Sequence, residues 1–166
     1  MRKLFAIMTT LLMITAGVSA QDGKNIYNKY SDMNDVSAVY ISSTMFKLIG
    51  KIPDMNIGST EMNLTGLIKS LNNMFVIDCD NEDISDDIKT DVGRMLDKYK
   101  FEMLMEVKDN GEKVRIHISG DDDIVSTFLM TADDGDGGYT LIVLNGKMKR
   151  SELEKAIIEA TKSIDD

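Results

Sequence analysis

The residues with the most chemical potential in this 166-residue chain are carboxylates gathered in short runs. Asp121, Asp122 and Asp123 are consecutive, and Asp133, Asp134 and Asp136 are interleaved with Gly135, Gly137 and Gly138. Oxygen ligands at alternate loop positions are what calcium needs, and the segment from Asp134 starts as an EF-hand loop does. It does not continue as one: Tyr139 stands where the loop requires glycine, and Asn145 stands where it requires the bidentate glutamate. The run from Asp78 to Asp83 fails in the same way, with Asp83 and Lys89 at those two places. Both runs also fit ordinary solvated turns, because glycine supplies positive φ and aspartate tolerates turn geometry. The six aspartates at 121–123, 133, 134 and 136 therefore promise no more than weak divalent-cation binding.

Four further groups could do chemistry. His117 is the one histidine and Cys79 the one cysteine, so a structural zinc set has too few nitrogen and sulfur ligands. A Cys79–His117 dyad or a Ser–His117–Asp triad would have to assemble in space, and no Gly-x-Ser-x-Gly elbow supports one. Alternation from Met74 to Asp80 puts Phe75, Ile77 and Cys79 on one face, so Cys79 reads as a small buried hydrophobe. Asp78 and Asp80 beside it would raise the thiol pKa and leave it unreactive. Met103 and Met105 are soft enough for Cu(I), yet they share a period-two face with Phe101 and Val107 and read as core. Asp78, Asp80, Glu102 and Glu106 could furnish the carboxylate pair of a small hydrolase if a cleft raised one pKa. No glycine-rich phosphate loop or other cofactor motif is present.

The elements that must position these residues begin after a separate N-terminal segment. Arg2 and Lys3 precede an apolar run from Leu4 to Ala16, and Val18-Ser19-Ala20 places compact residues at a cleavage site, the pattern of a secretory signal. The run is shorter than the ~20 residues a spanning helix needs. The expectation is a cleaved signal over 1–20 and one domain over 21–166, exported to the periplasm or cell surface. No cysteine follows the cleavage site to carry a lipid, and no membrane-spanning segment remains after cleavage.

Within that domain, Gln21 to Tyr30 is polar and aperiodic and reads as a loose lead-in. Val36 to Ser42 alternates as a strand, and Thr44 to Ile49 follows as a short helix stopped by Gly50 and Pro53. Leu64, Leu67, Ile68, Leu71 and Met74 have helical spacing and lead into a strand from Phe75 to Cys79. Ser85, followed by Asp86 and Asp87, suits a helix N-terminus, and Ile88, Val92, Met95, Leu96 and Tyr99 give that helix an apolar stripe. Asn110-Gly111 between alternating runs predicts a hairpin, with Val107 opposite Val114, Glu106 opposite Arg115, Met105 opposite Ile116, Leu104 opposite His117 and Met103 opposite Ile118. His117 would then lie on the exposed or half-buried face. Strands over Ile124–Ala132 and Tyr139–Asn145 follow, with Ala132 opposite Tyr139, Met130 opposite Leu141 and Phe128 opposite Val143. The last strand is apolar on both faces and so belongs inside the sheet. Ser151 with Glu154 forms a capping box for a closing helix.

The signal segment, the Ile-Ser-Ser-Thr-Met-Phe-Lys-Leu stretch, the Phe-Glu-Met-Leu-Met-Glu-Val strand, the Asn110-Gly111 hairpin and Leu-Ile-Val-Leu-Asn-Gly before a capped helix together resemble a secreted Bacteroidetes family. It is catalogued as domain of unknown function four-two-five-two. The resemblance implies a fold and an exported address, and it brings no catalytic residues. Many relatives are lipid-anchored through a cysteine after the signal, a feature this chain lacks.

Composition narrows what remains. Lysine and arginine number 19 against 28 acids, a net charge of −9. Removing Arg2 and Lys3 with the signal leaves 17 against 28, or −11. Nucleic-acid binding requires the opposite balance. The expected fold is α+β: a mostly antiparallel sheet ending in a four-strand meander from Phe101 to Asn145, with helices packed on one face. The expected function is a non-enzymatic interaction or sensing module with a protein partner in the envelope, using an exposed apolar patch or sheet edge that includes Leu104 and Ile142 if the outer sheet face lacks helices. A small hydrolase using His117 or the acids around Asp78, and a weak divalent-cation binder, are the alternatives.

Overall fold

A computed structural model describes residues 18–49 and 64–162. The basic start and apolar run of the expected signal, and the expected helix stop at Gly50 and Pro53, lie outside the described residues. Among these residues, helices α1 (Val18–Tyr30), α2 (Ser43–Ile49), α3 (Leu64–Ser70), α4 (Glu82–Lys98) and α5 (Arg150–Lys162) surround six strands. The strands are β1 (Val36–Ile41), β2 (Leu71–Cys79), β3 (Glu102–Asp109), β4 (Glu112–Gly120), β5 (Ile124–Asp133) and β6 (Tyr139–Lys149). They form one sheet in the order β1-β2-β6-β5-β4-β3, antiparallel throughout. The α+β class and the four-strand meander β3 to β6 are as the sequence predicts, and β6 lies inside the sheet between β2 and β5.

The helices cover both faces of the sheet, contrary to the expectation of one. On the first face α1 and α4 bury Ile26, Tyr30, Ile88, Val92 and Met95 against Phe75, Ile77, Cys79, Leu129, Leu141 and Val143. On the second, Phe46 of α2 and Leu153 of α5, with Leu67 and Ile68 of α3 beside them, pack on Ile116, Ile118, Val125, Phe128 and Met148. The physical reason is visible in β6. Leu141 and Val143 belong to the first core and Leu144 packs against the second, and a strand apolar on both faces must be shielded on both.

Local differences have equally local causes. The segment from Gln21 to Tyr30 is helical, because Ile26 and Tyr30, four residues apart, share the face that meets the sheet. Asn81, not Ser85, caps α4: its Oδ1 accepts the Ile84 N–H, and Glu82 and Asp83 fill the first turn. Ser85 lies fully buried inside the helix and donates to the Cys79 carbonyl. The helix predicted over Leu64–Met74 ends at Ser70, where the chain joins β2 and Leu71 pairs with Gly146. Helix α5 starts at Arg150, whose N–H donates to the Asp123 carbonyl, so Ser151 lies within it.

Registers were also shifted by single residues. The Asn110-Gly111 turn has positive φ at both residues, 46° and 98°, as a type I′ turn requires. Val107 faces Val114, Glu106 faces Arg115 and Met105 faces Ile116, as the turn predicts. A bulge between Met103 and Met105 then changes the count, so Met103 faces His117 and Glu102 faces Ile118. Between β5 and β6 the loop is one residue shorter than expected: Asp133 faces Tyr139, Met130 faces Ile142 and Phe128 faces Leu144. Gly135 lies so close to Gly111 that a Cβ there would come within 2.8 Å of its carbonyl oxygen, which ties this loop to the hairpin tip.

Candidate functional site

The residues singled out for chemistry do not converge. Asp121 Oδ1 accepts the N–H groups of Asp123 and Ile124, and these two bonds hold its carboxyl below the usual range. Asp134 Oδ1 does the same for Asp136 and Gly138, while Asp133 pairs with Lys89 at 3.1 Å. Asp121 and Asp134 thus close their own turns and Asp133 pairs with a lysine, and no group of three histidine, cysteine or acidic residues able to hold a metal occurs among the described residues. Asp78 lies on β2 and accepts from the Thr140 hydroxyl at 2.6 Å. Glu102 and Glu106 lie on β3, with three strands between them and β2. At ~4.8 Å per strand that is roughly 19 Å, too far for carboxylates of one cleft. Glu102 receives a two-pronged bond from Arg150. Lys108 and Arg115 hold the Glu106 carboxyl down at about 2, so it stays ionised.

Cys79 is buried at 1% exposure in the first core, and its thiol donates to the Asn81 carbonyl. Two strands separate it from His117 on β4, so the two do not form a dyad. His117 is itself buried, at 7% exposure, rather than half-exposed, and its Nδ1 is enclosed without a hydrogen-bond partner. Burial, reinforced by the Arg115 charge and opposed by Glu106, lowers its pKa. Met103 is exposed beside the bulge and Met105 packs toward the second core, so they no longer share a face.

A cavity of about 390 Å³ lies between α1 and α4, lined by Asp22, Asn25, Lys29, Asp91, Arg94 and Lys98 among others. Neither His117 nor Asp78 lines it. Asp91 accepts Lys29 at 2.7 Å, the Tyr30 hydroxyl at 2.7 Å and Arg94 at 2.9 Å, and Asp22 accepts Lys98 at 2.9 Å. Burial works against ionisation of both acids, but their bonds, first those from Lys29 and Lys98, leave both carboxyls below the usual range. Every cation around the cavity is occupied by an acid of the same two helices. The groove is a clamp that fixes α1 on α4.

The surface feature that stands apart is the edge at β1. Nine large hydrophobic residues are exposed among the described residues, and five of them, Met33, Val39, Tyr40, Met45 and Leu48, fall within residues 33–48. β1 reads Val-Ser-Ala-Val-Tyr-Ile, with no charge and no proline, and its pairing to β2 runs without a bulge. Among the described residues it has a neighbour strand on one side only. Val39 on the second face is 50% exposed and Tyr40 on the first is 51% exposed. The Tyr40 ring is held in place, stacked on Phe75 at 5.3 Å and set beside Tyr27 at 6.2 Å. From Val39 an apolar row continues across the second face through the partly buried Val76, Ile142 and Met130. A patch joining Leu104 and Ile142 required a sheet face without helices, and helices cover both: Leu104 is exposed at the β3 bulge and Ile142 lies in the middle of the sheet. The sequence signal for the true edge was the uncharged run Val36–Ile41, but nothing in it tells that this strand ends the sheet.

A family model described as domain of unknown function (DUF4252) matches residues 30–156, which include every strand and all of α2, α3 and α4. No curated protein and no solved structure matches the chain. No helix among the described residues is long and apolar enough to cross a membrane.

Proposed function

We propose that this chain, which belongs to the DUF4252 family, is an exported, non-enzymatic interaction module whose working surface is the β1 edge. The observation that carries the reading is the concentration of exposed apolar side chains at residues 33–48, on and around an uncharged edge strand. Unpaired backbone groups along such an edge accept another extended strand, and natural proteins blunt edges that are not meant to be used. Export rests on Arg2, Lys3 and the apolar run before Val18, and it places the module in the periplasm or at the cell surface with an envelope protein as partner. The geometry favours the hydrolase and cation-binding alternatives less, because His117, Asp78 and the turn aspartates do not meet around a shared cavity.

A photo-reactive phenylalanine analogue placed at Val39, and in a second protein at Val107 on the other edge, tests this in cells that produce the full chain. The expected outcome is a cross-linked adduct from position 39 and none from position 107. No adduct at position 39, or equal adducts at both, would remove the reading.

A further inference from the structure

The chemistry of β1 also specifies what fits against it. Resting on the interaction reading, we propose that the occupant is β1 of a second copy, paired antiparallel about a two-fold axis normal to the sheet, so that two six-stranded sheets become one. An axis of that kind keeps like faces on the same side, and in an antiparallel pair directly opposite residues share a face. A register centred on Val39 therefore sets Val39 against Val39 on the second face, Ser37 against Ile41, and Ala38 against Tyr40 on the first.

That register is self-complementary in size. The fixed, half-exposed ring of Tyr40 faces Ala38, the smallest side chain of the strand, and the symmetry supplies the same large-on-small contact twice. A stacked ring loses little freedom on binding, which is why aromatic anchors dominate interfaces. Charge points the same way. Each copy carries −9, so two copies repel over most of their surfaces, but no residue from Val36 to Ile41 is charged and no like charges meet across this pair. Continuing the register, Asp35 falls opposite Ser43 and meets no acid. Met45 and Leu48 of α2, which starts two residues after β1, are exposed as well. The assembly closes at two copies because the remaining edge, β3, carries Glu102, Glu106, Lys108 and Asp109 and a bulge.

Light scattering on the full chain tests the pairing. The wild type should show twice the mass of one chain at on the order of 100 μM and approach one chain on dilution. Val39→Lys should remain a single chain at every concentration. So should Ser37→Lys, a second exposed position that guards against a folding defect in the first. Wild type that is monomeric throughout overturns the second copy, as does a pair of lysine variants that dimerise normally. The Val39 cross-link separates the two readings. With a monomeric wild type, an adduct of foreign mass refutes self-pairing and leaves the interaction module standing, and no adduct refutes both.

Discussion

β1 and β3 end the same sheet, yet they meet solvent in opposite ways. β3 carries Glu102, Glu106, Lys108 and Asp109, Glu106 is gripped by Lys108 at 2.7 Å and Arg115 at 2.6 Å, and its bulge interrupts the ladder. The same Glu106 resolves the like-charged pair Lys108 and Lys113. β1 has none of these devices: its side chains are neutral, its ladder is regular, and an aromatic ring is braced at its rim. Charge and bulging on an edge are the usual means of refusing another strand. Both edges expose apolar side chains, Met103, Leu104 and Val107 on β3 and Val39 and Tyr40 on β1, so what separates them is charge and the bulge: among the described residues β1 alone offers a regular, uncharged edge for another strand.

Removing the protection of β3 should produce the largest change. Glu106→Val with Lys108→Val gives the chain a second receptive edge, so assemblies should grow past two copies, and light scattering should show a mass that rises with concentration without a plateau. A plateau at two would mean that the bulge alone suffices. Next in size is Tyr40→Ala. Loss of the braced ring should weaken self-association by about ten- to a hundredfold, or roughly 1.4–2.8 kcal/mol, by the dilution midpoint of the mass.

Acid should affect the two sides of the sheet at different pH. On the β3 side, the folded-state pKa of His117 is lowered by burial and by Arg115, so the unfolded chain binds the proton more readily. The stability this histidine contributes is complete above about pH 6.5 and is lost as pH falls through its folded value. Thermal midpoints should drop from pH 7.5 to pH 5, and His117→Leu should reduce that drop. The α1 clamp rests on Asp22 and Asp91, whose pKa values are lowered, so its contribution persists above about pH 4 and fails below it. The smallest expected effect is that of Val107→Lys. This residue is 48% exposed on the guarded edge, so neither the mass nor the melting midpoint should move measurably.

Legibility in the sequence followed the range of each physical signal. The Asn110-Gly111 turn and the five pairs nearest it, out to Met105 and Ile116, were readable because turn chemistry and alternation act within a few residues. The register failed at Leu104 because Met103, Leu104 and Met105 are all apolar, and no polar residue marks where a bulge inserts. α1 was missed because Ile26, Tyr27 and Tyr30 are too few to show a period among Gln, Asp, Gly, Lys and Asn; its stability comes from α4 and the sheet. Coverage of both faces is legible in β6, whose two faces are both apolar. The scattered positions of Asp78, Glu102 and His117, and the exposure of β1, depend on strand order. That order is set by long-range pairing and has no local signature.

Hydrogen exchange of the backbone amides, followed as protein concentration rises, tests the difference between the edges most directly. The outward amides of Val36–Ile41 should become protected as copies pair, while those of Glu102–Asp109 stay unchanged. Equal behaviour at the two edges, or protection confined to β3, would contradict the account.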